Sequence, residues 1–299
     1  VEVLIEKIFD KEIFHSMIGF TGWSLFGGLS SVGFTQGINI LLNLFFGPAV
    51  NAARGVAVQV QGAVSSFISN FQMALNPQIT KSYAAEDMER MRKLVMLSGR
   101  YSFYMMLVMV LPILLEIDSV LAVWLEDVPV HTNNFVRLIL CVSLIDSLAN
   151  PLIAAANATG KIGMYQRVVG TILLMIVPVA YIALKLGCPP EGVFVCHIVM
   201  AICAQIARVW MLRPMIAFSI RKYFNEVVIR VGVVSMVSFV LPFILYIFMP
   251  KGTLSSFLII CFVAVTSVLA TVYTIGIGKT ERLICNQKVA LLINKISRS

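Results

Sequence analysis

Long apolar runs separated by short polar connections organise this chain. Eight runs, near residues 14–46, 49–78, 95–115, 134–158, 164–184, 192–216, 227–249 and 253–277, approach or exceed the roughly 20 residues that cross about 30 Å of hydrocarbon. Gly47-Pro48 separates the first run from the second, and Pro129, Gly160, Pro189-Pro190 and Pro250 punctuate the others. Strand-length segments of alternating hydrophobicity do not recur, so a membrane β-barrel is not expected. The pattern predicts an all-α, polytopic membrane protein with eight transmembrane helices.

The polar residues within the first two runs are ordered. In the second run Arg54, Gln61, Ser65, Gln72 and Asn76 step by 7, 4, 7 and 4, which keeps them on one helix face. Gln59, Ser66 and Asn70 form an adjoining strip. In the first run Thr35, Asn39 and Asn43 step by 4 and 4, with Ser24, Ser31 and Gln36 nearby. Amides in lipid need hydrogen-bond partners that hydrocarbon cannot supply. Either the helices bond to one another, with Gly27, Gly28, Gly33 and Gly37 allowing close approach, or they line a water-filled cavity. The length of the stripe favours the cavity. Arg54 sits about one turn inside its run. It either snorkels to the interface or binds an anion, for which its planar fork of donors is suited.

Asp146 falls near the middle of the fourth run, with Asn150 one turn on and Pro151 beside it. A carboxylate at that depth faces the bundle interior. It is a candidate coupling site for a proton or sodium ion, or else a paired structural aspartate. Arg167, Arg208 and Arg213 lie toward cytoplasmic ends and read as anchors. Arg137 reads as marking the outer interface, His197 as a satisfied structural residue, and Trp23, Trp124 and Trp210 as interfacial belt residues.

Composition supports the membrane reading: 59% of the 299 residues are hydrophobic and only 13% charged. With glycine counted, the apolar share rises well above the roughly 45–50% of soluble domains. The net charge of +8 resolves into topology, because 19 of the 23 Lys and Arg fall on one side of an eight-span arrangement. By the positive-inside rule both ends of the chain are then cytoplasmic. No basic run is interleaved with stacking aromatics, so nucleic acid is not an expected partner. The six cysteines show no paired ligand spacing and read as small apolar residues.

Residues 1–13 alternate charge with apolar residues at helical spacing and read as a cytoplasmic amphipathic linker of a longer protein, not a signal peptide. Residues 14–217 form a six-helix unit, 218–278 two further spans that look peripheral and lipid-facing, and 279–299 a basic cytoplasmic tail. HExxH, P-loop and GxSxG signatures are absent from the sequence, as are acid-rich metal sites. The expectation is therefore a protein that is not an enzyme and has no cofactor or metal.

The stretch from Gly22 to Asp87 carries a resemblance. Its FFGPAVNAARG turn at Phe45–Gly55 and its NPQITKSYA exit at Asn76–Ala84, with ATGKIGMYQ at Ala158–Gln166 as a weaker match, resemble polysaccharide transporters of the multidrug/oligosaccharidyl-lipid/polysaccharide (MOP) exporter superfamily. The chain looks most like a Wzx-type O-antigen flippase, and the resemblance covers essentially its whole length. Such proteins have 12 or 14 helices in two lobes around a central cavity. The resemblance implies that these eight spans are the C-terminal, MATE-like lobe plus two peripheral helices, with the N-terminal lobe as a partner outside this chain. It implies a polyprenyl-pyrophosphate-linked oligosaccharide as substrate, the bacterial inner membrane as location, and glycan polymerases or ligases as partners in surface polysaccharide or lipopolysaccharide assembly. On that reading the cavity candidates are Asn39, Asn43, Arg54, Gln61, Gln72 and Asn150, and Asp146 couples transport to a proton or sodium gradient. The alternatives are a cation-coupled multidrug exporter of the same superfamily and, further off, a membrane glycan polymerase or ligase.

Overall fold

A computed structural model of the protein describes residues 11–250, 253–278, 281–283 and 287. The predicted linker before Lys11 and, those four positions apart, the predicted tail lie outside the described residues. The helices in chain order are α1 (Lys11–Phe46), α2 (Pro48–Ala84), α3 (Met88–Leu115), α4 (Ile117–Trp124), α5 (Thr132–Ala158) and α6 (Gly163–Leu174). They continue as α7 (Ile176–Lys185), α8 (Gly192–Ile216), α9 (Ile220–Tyr223), α10 (Ile229–Phe248) and α11 (Leu254–Thr271). Short π-helical turns follow α9 at Phe224–Val228 and α11 at Val272–Gly276.

Seven segments among the described residues are long and apolar enough to cross a membrane. They are Met17–Phe46, Met88–Leu115, Thr132–Ala158, Gly163–Lys185, Gly192–Ile216, Ile220–Phe248 and Leu254–Gly276. The predicted second span differs. It is one continuous 37-residue helix, α2, but its polar stripe lowers its hydropathy and it is not among the seven.

Local chemistry sets the breaks. Gly47 takes a φ of 84°, a left-handed conformation that costs glycine little, and ends α1. Pro48 then opens α2 at a position where its missing N–H is no loss. Asp87 caps α3 by accepting from the Arg90 amide at 3.0 Å. The fifth predicted span divides into α6 and α7 at Met175. Pro178 explains the break: it cannot donate to the Leu174 carbonyl four residues back, and its ring crowds that oxygen.

α3 and α5 form the inside of the bundle, with 61% and 56% of their most apolar windows buried, against 22% for Ile220–Phe248 and Leu254–Gly276. Their buried side chains contribute to two clusters stacked along the bundle. One contains Ile38, Leu42, Ala53, Val110, Phe135 and Phe194. The other contains Ile79, Phe103, Leu152, Tyr165, Leu212 and Val268. α2 belongs to both, through Ala53, Ala57, Val64 and Ile68 in the first and Ile79 in the second.

The small residues of α1 find their use against α6 and α7. A Cβ on Gly37 would meet Val177 at 2.5 Å, one on Gly33 would meet Leu174 at 3.2 Å, and one on Gly27 would collide with Gln166. Gly170 and Gly163 return the contact against Phe26 and Trp23. Gly28, expected with the others, has no neighbour within 4 Å. Close backbone approach through small residues replaces the hydrophobic drive that lipid cannot provide. α10 and α11 lie at the edge of the bundle: the Ser267 hydroxyl of α11 donates to the Ser238 carbonyl of α10 at 2.9 Å, and the Tyr104 hydroxyl of α3 donates to the Gly276 carbonyl, just past α11, at 3.1 Å.

Candidate functional site

The α1–α2 corner fixes Arg54. Ala53 and Ala57, both fully buried, bring this face of α2 against the bundle. Arg54 is buried too, at 7% exposure, and so does not snorkel to an interface. It donates from Nη1 to the Asn39 side-chain oxygen and from Nη2 to the Thr35 carbonyl at 3.3 Å. Asn39 passes the chain on by donating to Gln36 Oε1 at 3.0 Å. The Arg54 Nε–H has no protein partner.

Further along α2 the stripe meets α5. Gln61 Nε2 donates to the Ser143 hydroxyl at 3.1 Å, and Gln72 Nε2 donates to the Ser147 carbonyl at 3.2 Å. Asn150 Nδ2 donates to Gln72 Oε1 at 2.7 Å. The structure therefore divides what looked like one polar face. Arg54 turns to α1, Gln61 and Gln72 join α2 to α5, and the neighbouring Gln59, Ser66 and Asn70 stay exposed. Asn43 is exposed as well, apart from the bonded set. Interhelical bonds of this kind are worth about 0.6 kcal/mol on average in a membrane.

Beside the Gln72–Asn150 bond lies a groove of about 830 Å³, with Ser69, Gln72, Asn76 and Lys81 of α2 facing Asn150 and Asn157 of α5. It is open along one side of the α2–α5 pair. The Asn76 side-chain oxygen is buried without a protein partner.

A second polar space sits deeper. A pocket of about 260 Å³ between α1, α5, α6 and α8 is lined by Ser31, Asp146, Tyr165, Gln166, His197 and Arg208. Asp146 and Arg208 attract one another across it. Arg208 is 5% exposed and Tyr165 1% exposed. The Tyr165 hydroxyl interacts with Arg208, although neither it nor the Arg208 Nε and Nη1 groups make a hydrogen bond of normal geometry. His197 packs edge-on against Phe34 with ring centres 5.2 Å apart. Arg208, expected as an interfacial anchor, is instead buried and lines the same pocket as Asp146. The signal was present: His197 and Arg208 are 11 residues apart, three turns on one face of α8. Tyr165 and Gln166 carried no such signal, because only the packing of α6 brings them in.

At the opposite end from Lys81, side chains tie the helix starts together. His131 Nδ1 lies 2.6 Å from Glu191 Oε1, and Asn134 donates to the same oxygen at 3.1 Å. Burial pushes the Glu191 carboxyl up, but the bonds from His131 and Asn134 outweigh it and hold the group below its usual range. Arg137, expected at the outer interface, lies half-exposed 3.7 Å from Asp118.

Among the described residues no cluster of three or more His, Cys, Asp or Glu side chains could hold a metal ion. The fold and these sites define a polytopic, all-α membrane protein with polar and charged groups held inside the bundle. Comparison with protein families, with curated proteins and with solved structures returns no match.

Proposed function

We propose that this chain is the C-terminal part of a bacterial inner-membrane exporter that flips a polyprenyl-pyrophosphate-linked oligosaccharide. The observation that carries the reading is the groove of about 830 Å³ between α2 and α5, whose polar lining is mostly amide and hydroxyl. Amides both donate and accept, which matches the hydroxyls of a sugar without committing to one stereochemistry. Lys81 at the groove supplies a positive charge that suits a phosphate, and Arg54, 27 residues earlier on α2 and outside the groove, keeps one unused N–H. The resemblance of Phe45–Gly55 and Asn76–Ala84 to polysaccharide transporters supports the same substrate class. α2 reaches through both apolar clusters, so we count it as an eighth crossing. That count places both chain ends on the Lys- and Arg-rich, cytoplasmic side. Asp146, which lines the same pocket as Arg208, is the group we assign to ion coupling, and movement of this lobe against a second one supplies alternating access. No chemical step is assigned to the chain.

The test is made in a strain lacking the full-length gene. Lipid-linked oligosaccharide should accumulate on the cytoplasmic face and surface glycan should be lost. Arg54→Ala in the full-length protein should give the same phenotype when compared at equal amounts of folded protein, because the substitution also removes the α1–α2 bonds. Normal glycan in the deletion strain, with raised drug susceptibility, would replace this reading by the cation-coupled exporter, which Asp146 in its pocket also suits.

A further inference from the structure

A third space, of about 450 Å³, lies between α8 and the segment running from α9 through its π turn, with α5 behind it. Its walls are apolar, including Ile206, Trp210, Phe224 and Val228. Ile206, Trp210 and Phe224 are 65%, 58% and 54% exposed, so the crevice opens at the perimeter of the bundle, toward lipid. Its back is sealed by Gln205, which donates to the Tyr223 hydroxyl at 3.0 Å. Phe224 and Val228, at the two ends of the π turn, both line the space opposite α8.

Charge marks one end of this crevice. Arg213 lies one helical turn beyond Val209 and Trp210, on the same face of α8. Arg221 lies one turn before Phe224, on the face that Phe224 and Val228 present. Both arginines are exposed. The chain reverses between them at Ala217, whose φ is 51°, which brings the end of α8 and the start of α9 together. Lys222, by contrast, turns toward Glu226 at 3.9 Å. The arrangement is an apolar slot open to the bilayer, with an exposed arginine one turn from its lining on each of the two helices that form it, and that order of apolar and positive surface is the complement of an anionic lipid.

We infer that this crevice binds one anionic glycerophospholipid, with its phosphate on Arg213 and Arg221 and an acyl chain between α8 and the π turn. Basic pockets between membrane helices hold lipid head groups in this way. The site shares no lining residue with the α2–α5 groove and does not depend on the substrate proposed for it.

The experiment uses the purified chain in detergent, with phosphatidylglycerol as probe and phosphatidylcholine of the same acyl composition as control. Bound lipid is read by native mass spectrometry and thermal stability in parallel. Phosphatidylglycerol should bind with one-to-one saturation and raise the unfolding temperature, and phosphatidylcholine should do neither. Arg213→Gln with Arg221→Gln should weaken binding by about thirty-fold, on the usual contribution of two basic groups near an anionic head group. Ile206→Trp, which fills the slot and leaves both arginines in place, should abolish retention. Equal stabilisation by the two lipids, or unchanged affinity in the double variant, would overturn the proposal. Complete displacement of phosphatidylglycerol by equimolar polyprenyl phosphate would also overturn it, and would assign the slot to a polyprenyl chain.

Discussion

Arg54 of α2 donates to the side chain of Asn39 and to the carbonyl of Thr35, one turn apart on α1. Two bonds from one planar group fix both the spacing and the rotation of the α1–α2 pair. Arg54→Lys keeps the charge but replaces the fork with a single point donor. It should lower stability by about 1.5–3 kcal/mol, the worth of hydrogen bonds made by a charged group. Thermal unfolding in detergent reads this, and a Lys variant as stable as the native chain would show that the fork is not needed.

The Gln72 amide serves two partners on α5. Asn150→Leu removes one of them and leaves Gln72 Oε1 in the helix contact without a donor. The expected cost is about 1 kcal/mol. Gln59→Leu, on the exposed strip of the same helix, should stay within about 0.5 kcal/mol. Equal losses at the two positions would mean that α2 does not meet α5 through the Gln72 face.

Asp146 and Arg208 line one pocket and attract one another across it without forming a direct ion pair. Asp146→Asn should lower stability by about 1 kcal/mol, toward the low end of the coupling between residues that share a cavity. Adding Arg208→Gln should recover part of that loss, so the double-mutant cycle should give a coupling energy well above experimental scatter. Additive losses would show that the two groups do not sense each other.

Gly37 and Gly28 separate packing from helix propensity. Gly37→Ala drives a Cβ to 2.5 Å from Val177, a stiff β-branched neighbour, and should cost about 1–3 kcal/mol. Gly28→Ala meets nothing within 4 Å and should stabilise α1 by up to about 1 kcal/mol. Unfolding curves of the two variants should move in opposite directions.

Glu191 sets a pH dependence at the outer end. Its carboxyl is held below the ordinary value of 4.5, so the folded state favours the charged form. Its contribution is fully present above about pH 4.5 and is lost as pH falls through the lower folded value. Glu191→Gln should therefore narrow the stability difference between neutral and strongly acid pH. The native chain and the variant should converge below pH 4.5, and a constant offset across the range would remove His131 and Asn134 as the cause.

The helices themselves were legible because the bilayer imposes a length and an apolar composition on any segment that crosses it. Seven runs carry that signature directly. α2 carries a weaker one because Arg54, Gln61, Gln72 and Asn76 interrupt it. One break was equally plain, because Gly47-Pro48 acts through local backbone geometry, whereas the Asp87 cap and the break at Met175 emerged only in the structure. A polar stripe on α2 was also visible, since it needs only a helical period.

What each polar side chain faces was decided by the tertiary structure alone. The same period that gathers Arg54, Gln61 and Gln72 on one face cannot say that the first meets α1 and the others meet α5. A helix of 37 residues is about 55 Å long and changes neighbours along its length. Arg208 looked like an anchor because it is near the end of α8 in sequence, and only the packing of α6 and α8 beside α5 brings it and Asp146 into one pocket. Periodicity fixes which residues share a face, whereas the partner across that face depends on contacts distant in the chain.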